Sequence, residues 1–304
     1  MSNGSFPPTS RRPRTALVIL AVLLLVCAAG WLVWSAVAHD GSAGDDHAGP
    51  AAPHGRTTAP GSGPSGAAGS DDRGSGGSGE RPLEGKVVVI DPGHNPHNGE
   101  HSAKIARLVD VGTHKKECDT AGATTNSGYT EAAYTLDVSR RVRELLEARG
   151  AEVTLTQDGD RPYGPCVDER ARIGNRAHAD AVVSVHADGS AAGNRGFHVI
   201  APARVRGGKA DTSAITGPSR TLADRLIARF GEETGADPAN YLGGGRGLTV
   251  RDDLGGLNLS TVPKVFIECG NMRDPKDATL LTDEKWRERA ARGIAAGITD
   301  FLQG

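Results

Sequence analysis

Aromatic residues are scarce in this sequence: Phe, Trp and Tyr make up only 4% of its 304 residues. Aliphatic residues and Ala are plentiful, which favours a parallel-sheet core over an aromatic-rich β-sandwich. An excess of charge of one sign is also lacking, since the formal net charge is −2. Three N-terminal arginines contribute +3, and residues 40–82 contribute −3 from six acidic residues and three arginines, so the remainder carries about −2. No basic face emerges from this balance, which argues against nucleic acid as the main partner.

Large apolar residues are nearly absent from residues 39–82, where Gly, Ser, Ala, Pro and Asp dominate. Such a segment buries too little apolar surface to offset the entropy lost on ordering. We therefore predict a disordered linker over residues 39–82. As a Gly-rich coil it would span roughly 35–40 Å, enough to let an attached domain search a layer beyond a membrane.

Charged residues are absent from residues 15–38. As a helix, Leu17 to Ala38 would extend about 33 Å, which is enough to cross a bilayer core of roughly 30 Å. Arginines before this run and aspartates after it predict a cytoplasmic N-terminus (residues 1–14) and an exported remainder. The run is long for a signal peptide, so we favour an uncleaved transmembrane anchor. Cleavage after Ala38, in the small-x-small sequence Ala-Val-Ala, is the alternative, and on either interpretation the rest works outside the cytoplasm.

Three stretches rich in β-branched residues present an ionisable side chain at or near their ends. KVVVIDPGH ends at His94, AVVSVHA presents His186, and PKVFIEC presents Glu268. Runs of this kind are typical of strands buried on both faces of a parallel sheet. The carboxyl ends of such strands form the usual ligand site of open α/β sheets. These three side chains are therefore expected to share one polar site at one sheet edge.

Helices and strands are predicted to alternate through the rest of residues 83–304. A helix from Glu131 to Arg149 carries an apolar stripe and ends before Gly150. The other predicted elements are strands at 151–157 and 196–202 and helices at 167–178, 219–233 and 283–302. Residues 95–130 are predicted to be a long insertion without clear periodicity, and residues 243–255 a loop beside the site. This alternation of strands and helices predicts an α/β fold, a three-layer αβα arrangement with a central, mostly parallel sheet in a single catalytic domain.

Two histidines and one carboxylate make a catalytic zinc site whose fourth position is open to water. Glu131 opens its helix at the strand-carboxyl edge, where the helix dipole favours a negative charge. Taken singly, each histidine is more simply a hydrogen-bonded structural residue and Glu131 an ordinary helix N-terminal charge. Glu268 is harder to explain in this way, because a carboxylate that follows Val-Phe-Ile is costly unless it is used or paired. It is the candidate general base.

Four short motifs occur in order along the chain: Asp91-Pro92-Gly93-His94, Gly128-Tyr129-Thr130-Glu131, Ser184-Val185-His186-Ala187-Asp188 and Phe266-Ile267-Glu268-Cys269-Gly270-Asn271. Through them, Val87 to Gly304 resembles the zinc-dependent N-acetylmuramoyl-L-alanine amidases of bacterial cell walls. The resemblance implies that His94, Glu131 and His186 bind one Zn²⁺ and that Glu268 is the catalytic glutamate. It also implies hydrolysis of the amide between the lactyl group of N-acetylmuramic acid and the L-alanine of the stem peptide. Arg170 with Asn175 matches the family's helix before the second histidine strand.

The sequence departs from the family pattern at two places. Thr156-Gln157 stands where the family often has Thr-Arg, and the insertion after His94 is long. Neither departure removes a catalytic group, but both bear on how substrate is held and whether the cleft is open. Because it directly follows His94, the insertion is expected to act as a flap over the metal.

The resulting expectation is a monomeric, membrane-tethered enzyme that trims peptidoglycan. The enzymatic alternative is another wall-directed zinc hydrolase, such as a carboxypeptidase or a deacetylase. The non-enzymatic alternative is a wall-binding or regulatory module that has kept the fold.

The remaining cysteines and histidines lead to weaker predictions. Cys118 and Cys166 lie in loop-like segments of an exported domain, so we predict a disulfide between them. Cys269 is expected to be a buried thiol. Histidines that are expected to be solvated loop residues rather than a second metal site are His97, His101 and His114.

Three further polar residues are candidates for the surroundings of the site. His198 is a candidate for facing the cleft. Asp188 and Asn271 follow site residues and are candidates for orienting the metal ligands.

Overall fold

The computed structural model of the chain describes residues 81–304. The predicted cytoplasmic segment 1–14, the apolar segment 15–38 and the linker up to residue 80 lie outside the described residues. Within residues 81–304, none of the helices has the length and hydrophobicity needed to cross a bilayer.

The strands define a six-stranded central sheet and two small hairpins. In chain order the strands are β1 (Val87–Pro92), β2 (Leu108–Asp110), β3 (Lys115–Glu117), β4 (Glu152–Leu155), β5 (Ala181–Asp188), β6 (His198–Pro202), β7 (Arg206–Gly207), β8 (Ala210–Asp211), β9 (Leu248–Arg251) and β10 (Lys264–Asn271). The central sheet has the order β4-β1-β5-β10-β6-β9. Its neighbouring strands are parallel except for the antiparallel pair β10 and β6. The prediction of a mostly parallel sheet is confirmed.

Helices cover both faces of this sheet. They are α1 (Ser102–Ile105), α2 (Glu131–Glu147), α3 (Val167–Arg176), α4 (Thr216–Thr234), α5 (Gly255–Asn258), α6 (Pro275–Thr282) and α7 (Glu284–Gln303). The main apolar core lies between one face of the sheet and α2, α4 and α7. A smaller cluster packs Ile173 and Ala177, at and just beyond the end of α3, against Val89 and Val182 on the opposite face. This is the predicted three-layer αβα arrangement.

Side-chain caps set where several of these helices begin. The Thr130 hydroxyl accepts a hydrogen bond from the backbone N–H of Ala133 at the start of α2. The Asp283 carboxylate accepts from the N–H of Trp286 at the start of α7. Each cap satisfies an N–H group that has no partner within the helix. The cap at Thr130 therefore fixes Glu131 as the first residue of α2.

The register of the strands brings polar side chains together on the face of the sheet opposite the main core. Residues in register on adjacent strands project to the same face. Asp91 is in register with Ser184, which is in register with Phe266. Toward the carboxyl ends of β5 and β10, His186 is in register with Glu268. The polar site therefore lies on this face, inward from the edge where the sequence pattern had placed it.

Three segments differ from the sequence-based prediction. Residues 95–130 contain α1 and the β2–β3 hairpin instead of irregular structure throughout. Residues 243–255 were predicted to be a loop, which is wrong for residues 248–251, because these form the edge strand β9. Helix α6 was missed, although Asp274 caps it and Pro275 occupies its first turn, a recognised helix-start signal. Short elements of this kind carry little periodicity for a sequence pattern to detect.

A disulfide joins Cys118, just after β3, to Cys166, the residue before α3. The predicted pairing is confirmed, with the two Cα atoms 4.3 Å apart. Cys269 is a buried free thiol, also as predicted. The bond connects the insertion after His94 to the helix that carries Arg170.

Candidate metal centre

His94, Glu131 and His186 converge on one point. Each offers a ligand atom, and these atoms all lie within 4.8 Å of one another. Oε1 of Glu131 lies 3.2 Å from Nε2 of His94 and 3.0 Å from Nδ1 of His186. The two imidazole rings meet edge to face, with centroids 5.1 Å apart. Residues from a post-strand turn, a helix start and a strand are thus brought together as the sequence predicted.

His94 is held in an unusual backbone conformation directly after β1. Its φ angle is 63°, in the left-handed region that costs about 1–2 kcal/mol for a residue with a side chain. Its carbonyl accepts hydrogen bonds from Nη2 of Arg170 at 2.9 Å and from Nε2 of Gln157 at 3.0 Å. These two donors hold the turn that aims the imidazole. Gln157, one of the departures from the family pattern, therefore supports the histidine backbone.

Glu131 is fixed by backbone N–H groups as well as by its helix. Ala123 donates to Oε2 at 2.7 Å, and Ala187 donates to Oε1 at 3.1 Å. The carboxylate also lies at the positive end of the α2 dipole. The segment before α2 and strand β5 thereby meet at one side chain.

Each histidine turns one ring nitrogen to the shared point and engages the other with protein. Nδ1 of His94 lies 3.0 Å from the carbonyl oxygen of Thr120, so this nitrogen carries the proton and Nε2 is left to bind a cation. Nε2 of His186 lies 3.2 Å from the hydroxyl of Ser184, and Phe266 stacks on the His186 ring at 5.1 Å between centroids. Fixed ring orientations of this kind are typical of metal-binding histidines.

The charges of the site favour a cation at its centre. Burial alone would lower the pKa of His94, but the carboxylates of Glu131 and Asp119 raise that pKa to about 10. Burial alone would raise the pKa of Glu131, but His94 and His186 hold it well below its usual value. A buried carboxylate that keeps its charge beside two imidazoles is a suitable donor set for a divalent cation.

Glu268 lies next to His186 in the sheet register, and its Oε2 atom is buried without a hydrogen-bond partner in the described part of the chain. Burial raises the pKa of Glu268 well above its usual value, and the nearby Glu131 and Asp188 raise it further. Burying a carboxylate oxygen without a hydrogen-bond partner costs folding free energy, which indicates a functional role for this side chain. Glu268 lines the same cavity as Glu131 and His186, and its role as a general base stays a prediction.

Asp188 and Asn271, the two residues predicted to orient the ligands, are hydrogen-bonded to other groups. The Asp188 carboxylate accepts hydrogen bonds from the hydroxyl of Tyr241 at 2.7 Å and from the N–H of Gly189. The Asn271 side chain donates to two carbonyl groups of the loop between β5 and β6. A ligand-orienting role for Asn271 is therefore wrong: it anchors that loop. Asp188 lines the site but does not bond a ligand.

The other histidines do not join the centre. His198 is in register with Glu268 but only 2% exposed, and burial lowers its pKa to about 4. Over residues 81–304, His94, Glu131 and His186 form the only cluster with metal-binding geometry. His97, His101 and His114 lie elsewhere in the insertion, and His114 lines a neighbouring cavity.

Two cavities are lined by both histidines. One, of about 550 Å³, is walled by the β2–β3 hairpin, Phe266 and Leu254. The other, of about 360 Å³, contains Glu131, Asp188, Arg251 and Glu268. Lys116 in the hairpin donates to the carbonyl of Asp253 at 3.2 Å. The insertion thus forms one wall of the cleft and is connected to the loop that follows β9.

Sequence reasoning missed several residues that support the histidines. Asp119 and Thr120 contact His94, and Ser184 contacts His186. Arg170 was noted only through the family pattern, and its bonds to Asp91 and Asp119 were not foreseen. Lys264, a cation directly before Val-Phe-Ile, and Asp91, an acid directly after Val-Val-Val-Ile, were the signals in the sequence that pointed to this network.

The chain is similar to known proteins over most of the residues that the structure describes. The profile of a family described as N-acetylmuramoyl-L-alanine amidase matches residues 88–300. A protein of that name from Mycobacterium tuberculosis is 40% identical over 222 residues, covering 72% of this chain and 88% of the relative. The crystal structure of the N-acetylmuramyl-L-alanine amidase from Mycobacterium smegmatis superposes with a TM-score of 0.67 at 38% identity, covering 72% of this chain and 98% of that one. The apo enzyme from Mycobacterium abscessus gives 0.66 at 36% identity, covering 72% and 100%.

Proposed function

We propose that this chain, which belongs to the family of N-acetylmuramoyl-L-alanine amidases, works with one zinc ion held by His94, Glu131 and His186. It hydrolyses the amide between N-acetylmuramoyl groups and L-alanine in peptidoglycan. Glu268 is the general base of this proposal. As a cell-wall amidase it acts outside the cytoplasm.

The donor set fits zinc. Two imidazole nitrogens and one carboxylate oxygen within 4.8 Å of one another match the three protein ligands of catalytic zinc sites, with a fourth position left for water. When bound, zinc would supply Lewis-acid chemistry, lowering the pKa of a water molecule to about 7 and polarising the substrate carbonyl.

The protein's own part is to move protons and fix geometry. Glu268 takes a proton from the attacking water and passes it to the departing amine of L-alanine. Its buried position keeps the carboxylate poorly hydrated and close to the metal ligands. The raised pKa favours the protonated form that the second transfer requires, while a bound cation favours the ionised form that the first requires.

The single observation that carries this proposal is the unpartnered Oε2 of Glu268 beside the three converging ligand groups. The test is Glu268→Gln, assayed by release of stem peptide from purified peptidoglycan, with zinc content measured on the same samples. Gln keeps the shape but cannot accept the proton, so the rate is expected to fall by about 10²–10⁴ with zinc retained. Glu147→Gln, at an exposed position at the end of α2, is the matched control. Full activity of the Glu268→Gln protein with zinc bound would remove the general-base role.

The same digest distinguishes the other wall-directed reactions. An amidase frees intact stem peptides, a carboxypeptidase shortens them by a terminal residue, and a deacetylase releases acetate. Mass analysis of the products therefore decides among the three. A zymogram without clearing would support the non-catalytic alternative.

We further propose that residues 15–38 tether the enzyme to the membrane. The support is the uncharged 24-residue run flanked by arginines and aspartates. The full chain is expected in the membrane fraction, and a chain starting at residue 39 in the soluble fraction. Recovery of the full-length gene product as a soluble protein beginning at His39 would show a cleaved signal instead.

A further inference from the structure

Four charged side chains are buried together beneath the metal centre. Asp91, Asp119, Arg170 and Lys264 each have side chains at most 6% exposed. Nζ of Lys264 lies 3.1 Å from Oδ2 of Asp91, and Nη1 of Arg170 lies 2.8 Å from Oδ1 of the same carboxylate. Nη2 of Arg170 lies 2.9 Å from Asp119. We name these four residues the buried charge network.

One branch of the buried charge network reaches His186. The hydroxyl of Ser184 donates to Oδ2 of Asp91 at 2.8 Å. Because its only proton is used there, this hydroxyl accepts from Nε2 of His186, 3.2 Å away. The proton on His186 is thereby fixed to Nε2, and Nδ1 is left as the lone pair that faces Glu131.

A second branch reaches His94. Arg170 holds Asp119, whose Oδ1 lies 3.4 Å from Nδ1 of His94, and it also donates to the backbone carbonyl of His94. The ring nitrogens that face away from the shared point, Nε2 of His186 and Nδ1 of His94, are therefore both linked through neighbouring side chains to one carboxylate, that of Asp91. The side chains that form the two branches, Asp91, Asp119, Arg170 and Ser184, are all buried.

The burial of Lys264 in this network is not explained by fold stability. It is the first residue of β10, in register with Val182 of the neighbouring β5, and its ammonium donates a hydrogen bond to the Asp91 carboxylate. Burying an ion pair rarely stabilises a fold more than apolar residues of similar size would. The ammonium also lies 5.7 Å from the ring centroid of Phe266, the residue that stacks on His186. Lys264 is thus linked to His186 in two ways, through Asp91 and Ser184 and through Phe266.

We propose that Lys264 is a positioning residue for the metal centre: through Asp91 and Ser184 it fixes the tautomer and orientation of His186. The inference rests on the proposed zinc site. Without the ammonium, Asp91 keeps only Arg170 and Thr156 as side-chain partners besides Ser184, so the carboxylate and the Ser184 hydroxyl are free to shift. The consequence is a less organised ligand set, expressed as weaker zinc binding.

The test measures the zinc dissociation constant of the full chain by competition with a chelator. Lys264→Met and Ser184→Ala are each expected to raise this constant about tenfold, within the range found for groups behind metal ligands. Because both act through one relay, the double variant is expected to remain near tenfold and not to reach the hundredfold of independent sites. In the Co²⁺-substituted protein, Lys264→Met is expected to shift the visible bands. Lys276→Met, at an exposed position, is the control and leaves all these quantities unchanged.

The outcomes separate this inference from the zinc proposal. A parent chain that binds no zinc contradicts the proposed function itself. A parent that binds zinc, with Lys264→Met binding equally well and showing unchanged Co²⁺ bands, overturns the positioning role alone. A hundredfold effect in the double variant also overturns it, because the two residues would then act separately. If Lys264→Met does not fold, Ser184→Ala decides, and an unchanged dissociation constant overturns the relay.

Discussion

Oε1 of Glu131 lies 3.0 Å from Nδ1 of His186, although 55 residues separate the two in the chain. The same oxygen accepts the backbone N–H of Ala187, so Glu131 at the start of α2 is bonded directly to the strand that carries His186. The spacing of the two groups is therefore set by a helix packed on a sheet. A site built in this way is preorganised, because its side chains cannot separate without moving the core.

The close approach of Gly93 to the His186 ring allows a steric test of the site. A Cβ built at this residue would overlap the imidazole of His186, lying 2.6 Å from Nδ1 and 2.7 Å from Nε2. Gly93→Ala is therefore expected to displace the ring and raise the zinc dissociation constant about 5- to 150-fold, since misfits of this kind cost about 1–3 kcal/mol. Competition with a chelator measures the effect. Gly99→Ala, where the added Cβ would meet nothing within 4 Å, is the matched control; equal zinc binding by both variants would contradict the observed proximity.

Asp119 makes the stability of the domain sensitive to acid. Burial alone would raise its pKa, but Arg170 and His94 lower it from 3.8 to about 2. Since the folded pKa is depressed, the unfolded chain takes up the proton first as the pH falls. The ion pair therefore contributes ~2 kcal/mol above about pH 5, and this contribution is lost between about pH 5 and pH 2.

The check is urea unfolding of the parent and Asp119→Asn across this range, with a chelator present to remove metal. The stability difference between the two proteins is expected to shrink by ~2 kcal/mol as the pH falls from 5 to 2. A difference that stays constant with pH would show that Asp119 ionises in the folded protein as it does in an unfolded chain.

The Cys118–Cys166 bond closes a loop with a sequence separation of 48. On chain-entropy grounds its removal is expected to cost about 4 kcal/mol of unfolding free energy. Because Asp119 directly follows Cys118, the double serine variant is also expected to bind zinc more weakly than the parent. Urea unfolding and zinc competition measure the two effects.

A thiol count supplies the control for that experiment. In a Cys27→Ser background, the denatured protein is expected to expose one thiol, that of Cys269, and three after reduction. Three thiols before reduction would contradict the bond.

Much of this architecture was predictable from local patterns. The strands β1, β5 and β10 each contain a short apolar run, and α2 has a capped start and an apolar stripe, so each has a strong local signal. His94, His186 and Glu268 were expected to lie near one another because the turn after β1 and the carboxyl-end halves of β5 and β10 present them, and the start of α2 adds Glu131. The polar site lies on the face of the sheet and not at its edge, since Lys264, Phe266 and Glu268 alternate with the core residues of β10.

The supporting residues were not predictable in the same way. Asp119 lies in an insertion without periodicity, and its contact with His94 depends on the fold of the whole segment. The pairing of Lys264 with Asp91 joins residues separated by 173 positions and depends on strand register, which a single sequence does not specify. Strand β9 was missed because its four residues follow a run of glycines that reads as a loop.

The most direct test of the whole account is zinc stoichiometry. It is measured by elemental analysis after dialysis, on the full chain and on the His94→Ala, Glu131→Ala and His186→Ala variants, with His97→Ala as the control. The account predicts one zinc per chain in the parent and in the control, and substantially less than one in each of the three ligand variants. One zinc per chain in all three ligand variants, or none in a folded parent, would contradict it.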